Sequence, residues 1–390
     1  MKKFLIILLT AIILVLGGFF ILNLFFGFTD SQTNEKETVQ SVSSETKETT
    51  TASSEEFDSV QDTLKKMTLE EKVGQLFFVR VPEANQVEDI ATYHLGGYVL
   101  FGRDMENETK ESLTDKIKSY QDASKIPLLI GSDEEGGTVT RVSQNPNLVA
   151  APFASPQALY AAGGFAAIKS DTLNKAKILH EFGINTGLFP IADVATDPNA
   201  FIYDRTIGLD EAGTSEYVTT VVKALAAEKS GSTLKHFPGY GNNRDSHVEI
   251  VRDTRSLKEL RHTDFKPFKA GIKAGADSVL VSHNIVDSLD QTKPASISKP
   301  VHDVLRNELG FKGVIMTDDM DMAGLADFIS QADAGLAALQ AGNDLIMSSS
   351  YQVQIPRILS AIKAGEYSEE ELDNAVTRVL TWKKELGLLQ

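Results

Sequence analysis

Cysteine is absent from this sequence of 390 residues. Its absence excludes disulfide bonds, thiolate nucleophiles, cysteine-based zinc sites and a lipidated N-terminal cysteine. Positive charge is also scarce, since 38 Lys and Arg residues stand against 54 Asp and Glu residues and leave a net charge of −16. Binding to nucleic acid depends on clustered basic residues, and no basic stripe occurs along the chain. A nucleic-acid partner is therefore not expected.

A long apolar run lies at the N-terminus. Lys2 and Lys3 precede residues 4–28, which are apolar apart from a few small or weakly polar residues, and no small-x-small cleavage site follows. About 20 apolar residues suffice for a membrane-spanning helix, whereas a cleavable signal peptide usually has about 7–15. We expect residues 1–28 to be a single-pass membrane anchor, with the two lysines inside and the following chain extracellular. Secretion after cleavage of a long signal peptide is the alternative.

The next segment, residues 29–56, consists mainly of Ser, Thr, Glu and Gln. Such a composition cannot bury enough apolar surface to offset the entropy lost on ordering. We predict a disordered linker that holds the folded part of the chain, residues 57–390, away from the membrane. The length of that part suits one barrel domain better than several small domains.

Short β-rich runs alternate with helical patterns throughout the predicted domain. The eight runs are residues 75–81, 96–103, 126–133, 184–194, 232–239, 276–284, 313–319 and 343–350. They are almost continuously apolar, which is typical of parallel strands buried on both faces. Eight strand–helix repeats predict an α/β fold, a single (β/α)8 TIM-type barrel. A doubly wound open sheet is the alternative, but no GxGxxG motif follows the first run.

Polar side chains follow most of these runs, at the end where a barrel of this type carries its chemistry. They are Asp133-Glu134-Glu135, Asp193, Lys235-His236, Ser282-His283-Asn284 and Asp318-Asp319. Solvated loops would scatter such groups over both ends of the strands. We therefore expect them to meet around one active site.

Asp318 is a candidate nucleophile because it ends a buried apolar strand and its carboxylate would face the barrel mouth. Successive side chains of a strand point to opposite faces, so Asp319 would point away from the barrel mouth and is predicted to be structural. An isolated Asp-Asp pair at a strand end is more often a helix N-cap, so this signal is weak by itself.

The segment 234–250, LKHFPGYGNNRDSHVEI, is a stronger signal. Lys235 and His236 leave the strand, and proline and glycine then force an irregular turn. Asp245 precedes His247 by two residues, so its carboxylate can bind one ring nitrogen and support positive charge on the other. An imidazole with a pKa of about 6.5 suits proton transfer near neutral pH. A loop aspartate that merely stabilises a surface histidine is the other interpretation.

Histidine and carboxylate residues also raise the question of a metal site. His236, His247 and His283 are potential ligands, but no HExxH motif or comparable spacing occurs. Neither a metal ion nor another cofactor is expected.

Six blocks in the correct order resemble the β-N-acetylhexosaminidase branch of glycoside hydrolase family 3, over nearly all of residues 60–390. The blocks are GSDEEGGTVTRV (131–142), GINTGLFPIADV (183–194), DRTIG (204–208), KHFPGYGNNRDSH (235–247), PASIS (294–298) with ELGFKGVIMTDDMDM (308–322), and QAGNDLIM (340–347). The resemblance implies that Asp318 forms a glycosyl-enzyme intermediate and that His247, oriented by Asp245, acts first as acid and then as base. It further implies that the terminal sugar is held by Asp133, Arg205, Lys235 and His236.

The sequence departs from the family pattern at several positions. Tyr240 replaces a second histidine, Glu134 a glutamine and Thr138 an arginine, while Asn242-Asn243 stand in place of Asp-Thr. None of these changes removes the inferred nucleophile or the Asp-His pair, but they put the fine substrate preference in doubt.

The resemblance implies a retaining exo-hydrolase that releases terminal β-linked N-acetylglucosamine. The expected extracellular location suggests cell-wall-type or other glycans as its substrates, and a monomer is expected. A non-catalytic glycan-binding barrel is one alternative, although a pure binder has no need of Asp245, His247 and Asp318 together. A related glycosidase with another sugar preference is a second. A Schiff-base aldolase would need a lysine inside an apolar strand, whereas Lys235 lies at a strand exit.

Overall fold

Parallel strands separated by helices build the folded part of the chain. The computed structural model describes residues 59–245, 250–326 and 328–389, and all of them belong to the compact unit Ser53–Gln390. The predicted membrane anchor and linker lie outside these residues, as does His247. Across the described ranges, no helix combines the length and the apolar character that crossing a membrane requires.

Nine strands, β1 to β9, occur in the described residues. In chain order they are Phe77–Arg80, Gly97–Leu100, Leu129–Ser132, Thr233–Phe237, Arg252–Asp253, Ser278–Val281, Ile285–Val286, Val314–Thr317 and Ile346–Met347. All the predicted runs contain one of these strands except the run 184–194. The short strands β5 and β7 were not predicted.

The strands pair in parallel and form three sheets, with orders β3-β2-β1-β9, β4-β6-β8 and β5-β7. Single parallel bridges run from Gly131 to Thr186 and from Thr186 to Gly231, and another joins Met316 to Leu345. The predicted α/β fold with parallel strands is confirmed. The hydrogen-bonded ladders do not, however, form the single closed barrel that the sequence predicts.

One of the gaps in the ladders lies at the run 184–194, between β3 and β4, and its cause is local. Leu188 has a φ of 47°, a left-handed conformation that a regular strand does not contain. Pro190 has no amide hydrogen to donate to a neighbouring strand. Only Thr186 and Ile191 therefore make bridges to their neighbours.

Helices follow most of the strands. Their bounds are Leu69–Gln75, Glu88–Tyr93, Gly102–Met105, Lys110–Asp122, Pro156–Glu181, Glu211–Ala227, Leu257–His262, Phe265–Ala274, Lys299–Asp303, Ala323–Ala326, Gln331–Ala341, Tyr351–Lys363 and Glu369–Glu385, with shorter turns at Val142–Gln144, Tyr203–Arg205, Ala295–Ile297 and Val304–Glu308. The helix Pro156–Glu181 is kinked, because Gly163 and Gly164 have non-helical backbone angles.

The strands form the centre of the core. The Phe78 ring is fully buried and lies so close to Gly131 that a Cβ atom there would be 2.4 Å from its Cζ. On the outside, Trp382 of the last helix packs against Gly231. Since the strands are parallel, their carboxyl ends all meet at one edge of the domain.

Candidate active site

A cavity of about 240 Å³ lies at the carboxyl ends of β1, β3, β4 and β8. It is lined by Arg80, Phe101, Asp133, Val139, Arg141, Arg205, Lys235, His236, Leu280, Asp318, Asp319, Met322 and Met347. The predicted nucleophile and all four predicted sugar-binding residues are in this set. The structure thus brings them together, although their roles in catalysis stay predictions.

A buried carboxylate, Glu135, organises the cations of the site. Arg205 donates to it from Nε to Oε2 over 2.9 Å and from Nη2 to Oε1 over 2.8 Å, and Lys235 Nζ lies 2.7 Å from Oε1. Burial alone would raise the pKa of Glu135, but the charges of Arg205 and Lys235 outweigh it and hold that pKa well below its usual value. Glu135 is therefore ionised and fixes both cations beside the cavity.

The sequence predicted Lys235 and His236 at the exit of the strand, but both lie inside β4, and Lys235 reaches from there toward the cavity. Its Nζ donates to Asp133 Oδ1 over 2.7 Å, and 20% of the Asp133 side chain is exposed. Burial opposes the charge on Lys235, yet Asp133 and Glu135 together raise its pKa. The ammonium group stays protonated, which excludes the neutral amine that a Schiff-base aldolase requires. A ligand therefore meets the Asp133 carboxylate beside the Lys235 ammonium group, and this pair is suited to binding hydroxyl groups.

His236 is held in one tautomer. Its Nε2 lies 3.1 Å from Arg205 Nη2, which can only donate, so Nε2 accepts. The opposite nitrogen, Nδ1, is 2.8 Å from Asp193 Oδ2 and donates to that buried carboxylate. Asp193 accepts two further hydrogen bonds, from the backbone N–H of His236 and of Tyr240. The imidazole is thus fixed in orientation.

Asp318 and Asp319 follow β8. The backbone N–H of Asp318 donates to the carbonyl of Val281 at the end of β6, and its Oδ1 accepts from the N–H of Asp319. Asp319, predicted to be structural, forms an ion pair with Arg80 but also lines the cavity. Burial raises the pKa of Asp319 to about 6, against the effect of Arg80. Asp318 is 8% exposed, so its carboxyl group lies at the edge of the cavity rather than in solvent.

The predicted acid/base pair is described only in part. Asp245 ends the first described range, and His247 lies outside the described residues. The proximity of the two side chains therefore stays a prediction.

The sequence did not predict the roles of several other residues of the site. Glu135 and Asp193 belong to the polar strand exits, but the sequence did not show that each holds binding residues in place. Arg80 ends β1, and the same strand-exit pattern could have found it. Arg141 lies 3.5 Å from Asp133 and follows no strand, so no local pattern marks it. Across residues 59–245, 250–326 and 328–389, no three His, Asp or Glu side chains are grouped to hold a metal ion.

Fold and site together define an α/β protein with a small, polar, charge-lined cavity at its strand ends, suited to a polyhydroxylated ligand. The chain belongs to glycosyl hydrolase family 3, since the model of the glycosyl hydrolase family 3 N terminal domain matches residues 68–382.

Comparison with curated proteins supports the hexosaminidase branch. Beta-hexosaminidase A of Pseudoalteromonas piscicida is 28% identical over 78% of this chain, and the aligned region is 55% of that protein. The beta-hexosaminidase of Xanthomonas campestris pv. campestris (strain B100) is 34% identical over 65% of this chain and 76% of its own length. The predicted family and branch are thereby confirmed.

A solved structure leads to the same branch. A glycoside hydrolase family 3 beta-N-acetylglucosaminidase from Paenibacillus sp. str. FPU-7 superposes with a TM-score of 0.78 at 28% identity. The match covers 83% of this chain and 63% of that one. The chain thus spans less than two thirds of this protein and of the Pseudoalteromonas enzyme.

Proposed function

We propose that the chain is a retaining exo-β-N-acetylhexosaminidase that hydrolyses terminal β-linked N-acetylglucosamine. The observation that carries this proposal is the cavity in which Asp318 lies with Asp133, Arg205, Lys235 and His236. The relatives named beta-hexosaminidase and beta-N-acetylglucosaminidase support the choice of sugar.

In the proposed mechanism, Asp318 attacks the anomeric carbon while His247 donates a proton to the leaving oxygen. A glycosyl ester on Asp318 forms as the glycosidic bond breaks. His247 then takes a proton from water, which attacks the same carbon and releases the sugar with its configuration retained. Asp245 orients the imidazole in both steps and stabilises its positive charge.

The cations beside Glu135 serve the binding step. Arg205 and Lys235 donate to sugar oxygens, and Asp133 accepts from hydroxyl groups. The fixed orientation of His236 keeps its ring at the wall of the pocket, where it contacts the sugar. Because Glu135 is buried and already paired, these cations are in place before the substrate arrives.

The architecture that we infer is a (β/α)8 barrel. The bridges from Gly131 through Thr186 to Gly231, and from Met316 to Leu345, support it because they connect the two larger sheets at both edges. The N-terminal run 1–28 and the linker 29–56 support a membrane-tethered, extracellular enzyme acting on cell-wall-type or other glycans, and we propose that it is a monomer.

The test is a panel of 4-nitrophenyl β-glycosides, namely N-acetylglucosaminide, N-acetylgalactosaminide and glucoside, with the full-length protein in detergent. We expect the N-acetylglucosaminide to be the best substrate and Asp318→Asn to reduce its hydrolysis by several orders of magnitude. Asp303→Asn, a change at a side chain that is 47% exposed and pairs with Lys299, is the matched control. Near-normal turnover by Asp318→Asn would remove the basis of the proposal.

A further inference from the structure

The chain between β4 and β5 forms the loop that carries Asp245. It leaves β4 at Phe237 and returns at Arg252. In the proposed mechanism this loop must bring Asp245 and His247 to the cavity. The contacts at its outgoing stem, residues 238–241, and at its returning stem, residues 252–255, therefore determine the position of the loop.

At the outgoing stem, a single peptide group is held on both sides. The N–H of Tyr240 donates to Asp193 Oδ1 over 2.7 Å. The carbonyl of Gly239, which belongs to the same peptide group, accepts from Arg255 Nη2 over 2.8 Å. A carboxylate and a guanidinium thus fix the plane of this peptide from opposite ends.

Arg255 belongs to the returning stem, directly after β5. Its Nε contacts both oxygens of Asp253 over 3.0 and 3.1 Å, and its Nη1 contacts both oxygens of Asp264 over 3.0 and 2.8 Å. The Asp253 and Asp264 side chains are 0% and 1% exposed, so the guanidinium is anchored by two buried carboxylates. Asp253 is itself fixed by the pairing of β5 with β7.

The outgoing stem fits closely around this anchor. Gly239 and Gly241 have φ values of 114° and 54°, in the region that favours glycine. A Cβ atom at Gly239 would lie 2.4 Å from Asp264 Oδ1, and one at Gly241 would lie 2.3 Å from Arg255 Nη1. Neither stem can shift without disturbing the guanidinium.

We propose that Arg255 is a positioning residue that ties the two stems of this loop together and so sets the place of Asp245. Arg255 is not among the residues that line the cavity, so it acts through the loop rather than on the sugar. The inference rests on the proposed function, because it assumes that the loop supplies the proton donor.

The test uses the dependence of the rate on the leaving group, because a proton donor assists only the departure of poor leaving groups. Departure of a good leaving group, such as 2,4-dinitrophenolate, needs no protonation, whereas departure of 4-methoxyphenolate does. The ratio kcat/KM reports the first chemical step. A displaced loop therefore slows the 4-methoxyphenyl substrate selectively, while general damage to the sugar site slows both substrates.

We expect Arg255→Lys and Arg255→Gln to lower kcat/KM for the 4-methoxyphenyl N-acetylglucosaminide by about 10- to 100-fold, a partial loss of the roughly 10²- to 10⁴-fold that proton transfer contributes. The value for the dinitrophenyl substrate should change by less than about threefold. A lysine has one point charge and cannot span Asp253, Asp264 and the Gly239 carbonyl together. Arg261→Gln removes an exposed arginine of the following helix and is the control that should change neither value.

His247→Ala is measured in parallel and tests the proposed function separately. If that variant shows no dependence on the leaving group, the proposed function fails. If it does, but the Arg255 variants lose activity equally on both substrates, the positioning role of Arg255 is overturned. Should the Arg255 variants not fold, Gly241→Ala, which crowds the guanidinium from the other stem, is judged by the same criterion.

Discussion

Arg205 and Glu135 form a side-on pair, with hydrogen bonds of 2.9 Å from Nε to Oε2 and 2.8 Å from Nη2 to Oε1. The carboxylate is completely buried, while 14% of the Arg205 side chain is exposed. Glu135 also lies 2.7 Å from Lys235 Nζ and thus holds two cations that would otherwise repel each other. The binding surface of the cavity therefore depends on a side chain that does not line the cavity itself.

Glu135→Gln is expected to impair both binding and stability. The neutral amide leaves Arg205 and Lys235 close together without their shared counter-charge, and breaking a buried ion pair costs about 3–5 kcal/mol. We expect the free energy of unfolding in denaturant to fall by that order and KM for the 4-nitrophenyl N-acetylglucosaminide to rise at least about tenfold. Unchanged KM and stability would contradict the role assigned to Glu135.

Replacing the neighbouring residue Glu134 by glutamine should raise the stability of the protein rather than lower it. Its Oε1 accepts from Ser132 Oγ and from the backbone N–H of Arg141 and Val142, and burial raises its pKa to about 7. The pKa in the unfolded chain is about 4.3. Between these two values the folded state binds more protons, so the contribution to stability decreases as the pH rises and the full penalty is present above pH 7.

Glu134→Gln keeps a carbonyl oxygen for the same donors and removes the charge. We expect the variant to be more stable than the wild type by about 1–3 kcal/mol at pH 8, with the difference vanishing toward pH 4. Urea unfolding at both pH values measures this, with Glu135→Gln as the matched control at the next position. A variant less stable than the wild type at pH 8 would show that the ionised carboxylate is needed.

The main parts of the site could be predicted from the sequence because of one geometrical rule. The carboxyl ends of parallel strands share an edge, so polar residues that follow apolar runs converge. Asp133 and Asp318 directly follow β3 and β8 and line one cavity, as that rule requires, and Lys235 joins them from within β4. Arg205 lies outside any strand, and its place could be expected only from the family resemblance.

Other features depend on tertiary contacts that no local pattern contains. The run 184–194 is apolar like a strand, but nothing in its composition reveals the left-handed backbone of Leu188. Glu134 and Glu135 are chemically identical neighbours, and only the positions of Arg205 and Lys235 give their carboxyl groups opposite pKa shifts. Short-range sequence patterns cannot distinguish such cases.

Asp193→Asn should damage the site without removing a cavity residue. The carboxylate accepts three hydrogen bonds, from the ring and the backbone of His236 and from the N–H of Tyr240. An asparagine has one acceptor oxygen, so its amide nitrogen must face a donor. We expect kcat/KM to fall about 10- to 100-fold, the cost of about 1–3 kcal/mol for leaving a buried donor unsatisfied.

Asp210→Asn is the matched control for that change, since Asp210 only caps the exposed start of the helix Glu211–Ala227. It should leave kcat/KM unchanged. If Asp193→Asn retains normal kcat/KM, then the orientation of His236 does not depend on the carboxylate.

Lys383 gives a prediction about stability far from the catalytic cavity. Its side chain is fully buried, its Nζ donates to Gln75 Oε1 over 2.6 Å, and burial lowers its pKa to about 7. In the unfolded chain the pKa is about 10.4. Between these values only the unfolded chain keeps the proton, so this group makes stability increase with pH, and the full cost of its charge is present below pH 7.

Lys383→Met removes the charge and keeps most of the apolar stem. We expect the variant to gain about 2 kcal/mol over the wild type at pH 6.5, a net value because Gln75 loses its donor. The gain should shrink by up to about 1.4 kcal/mol for each pH unit above 7, so that the wild type becomes the more stable protein above about pH 8.5. Lys363→Met, at an exposed position of the preceding helix, should show no such trend. Parallel pH profiles for Lys383→Met and the wild type would mean that the buried lysine stays charged through contacts other than Gln75.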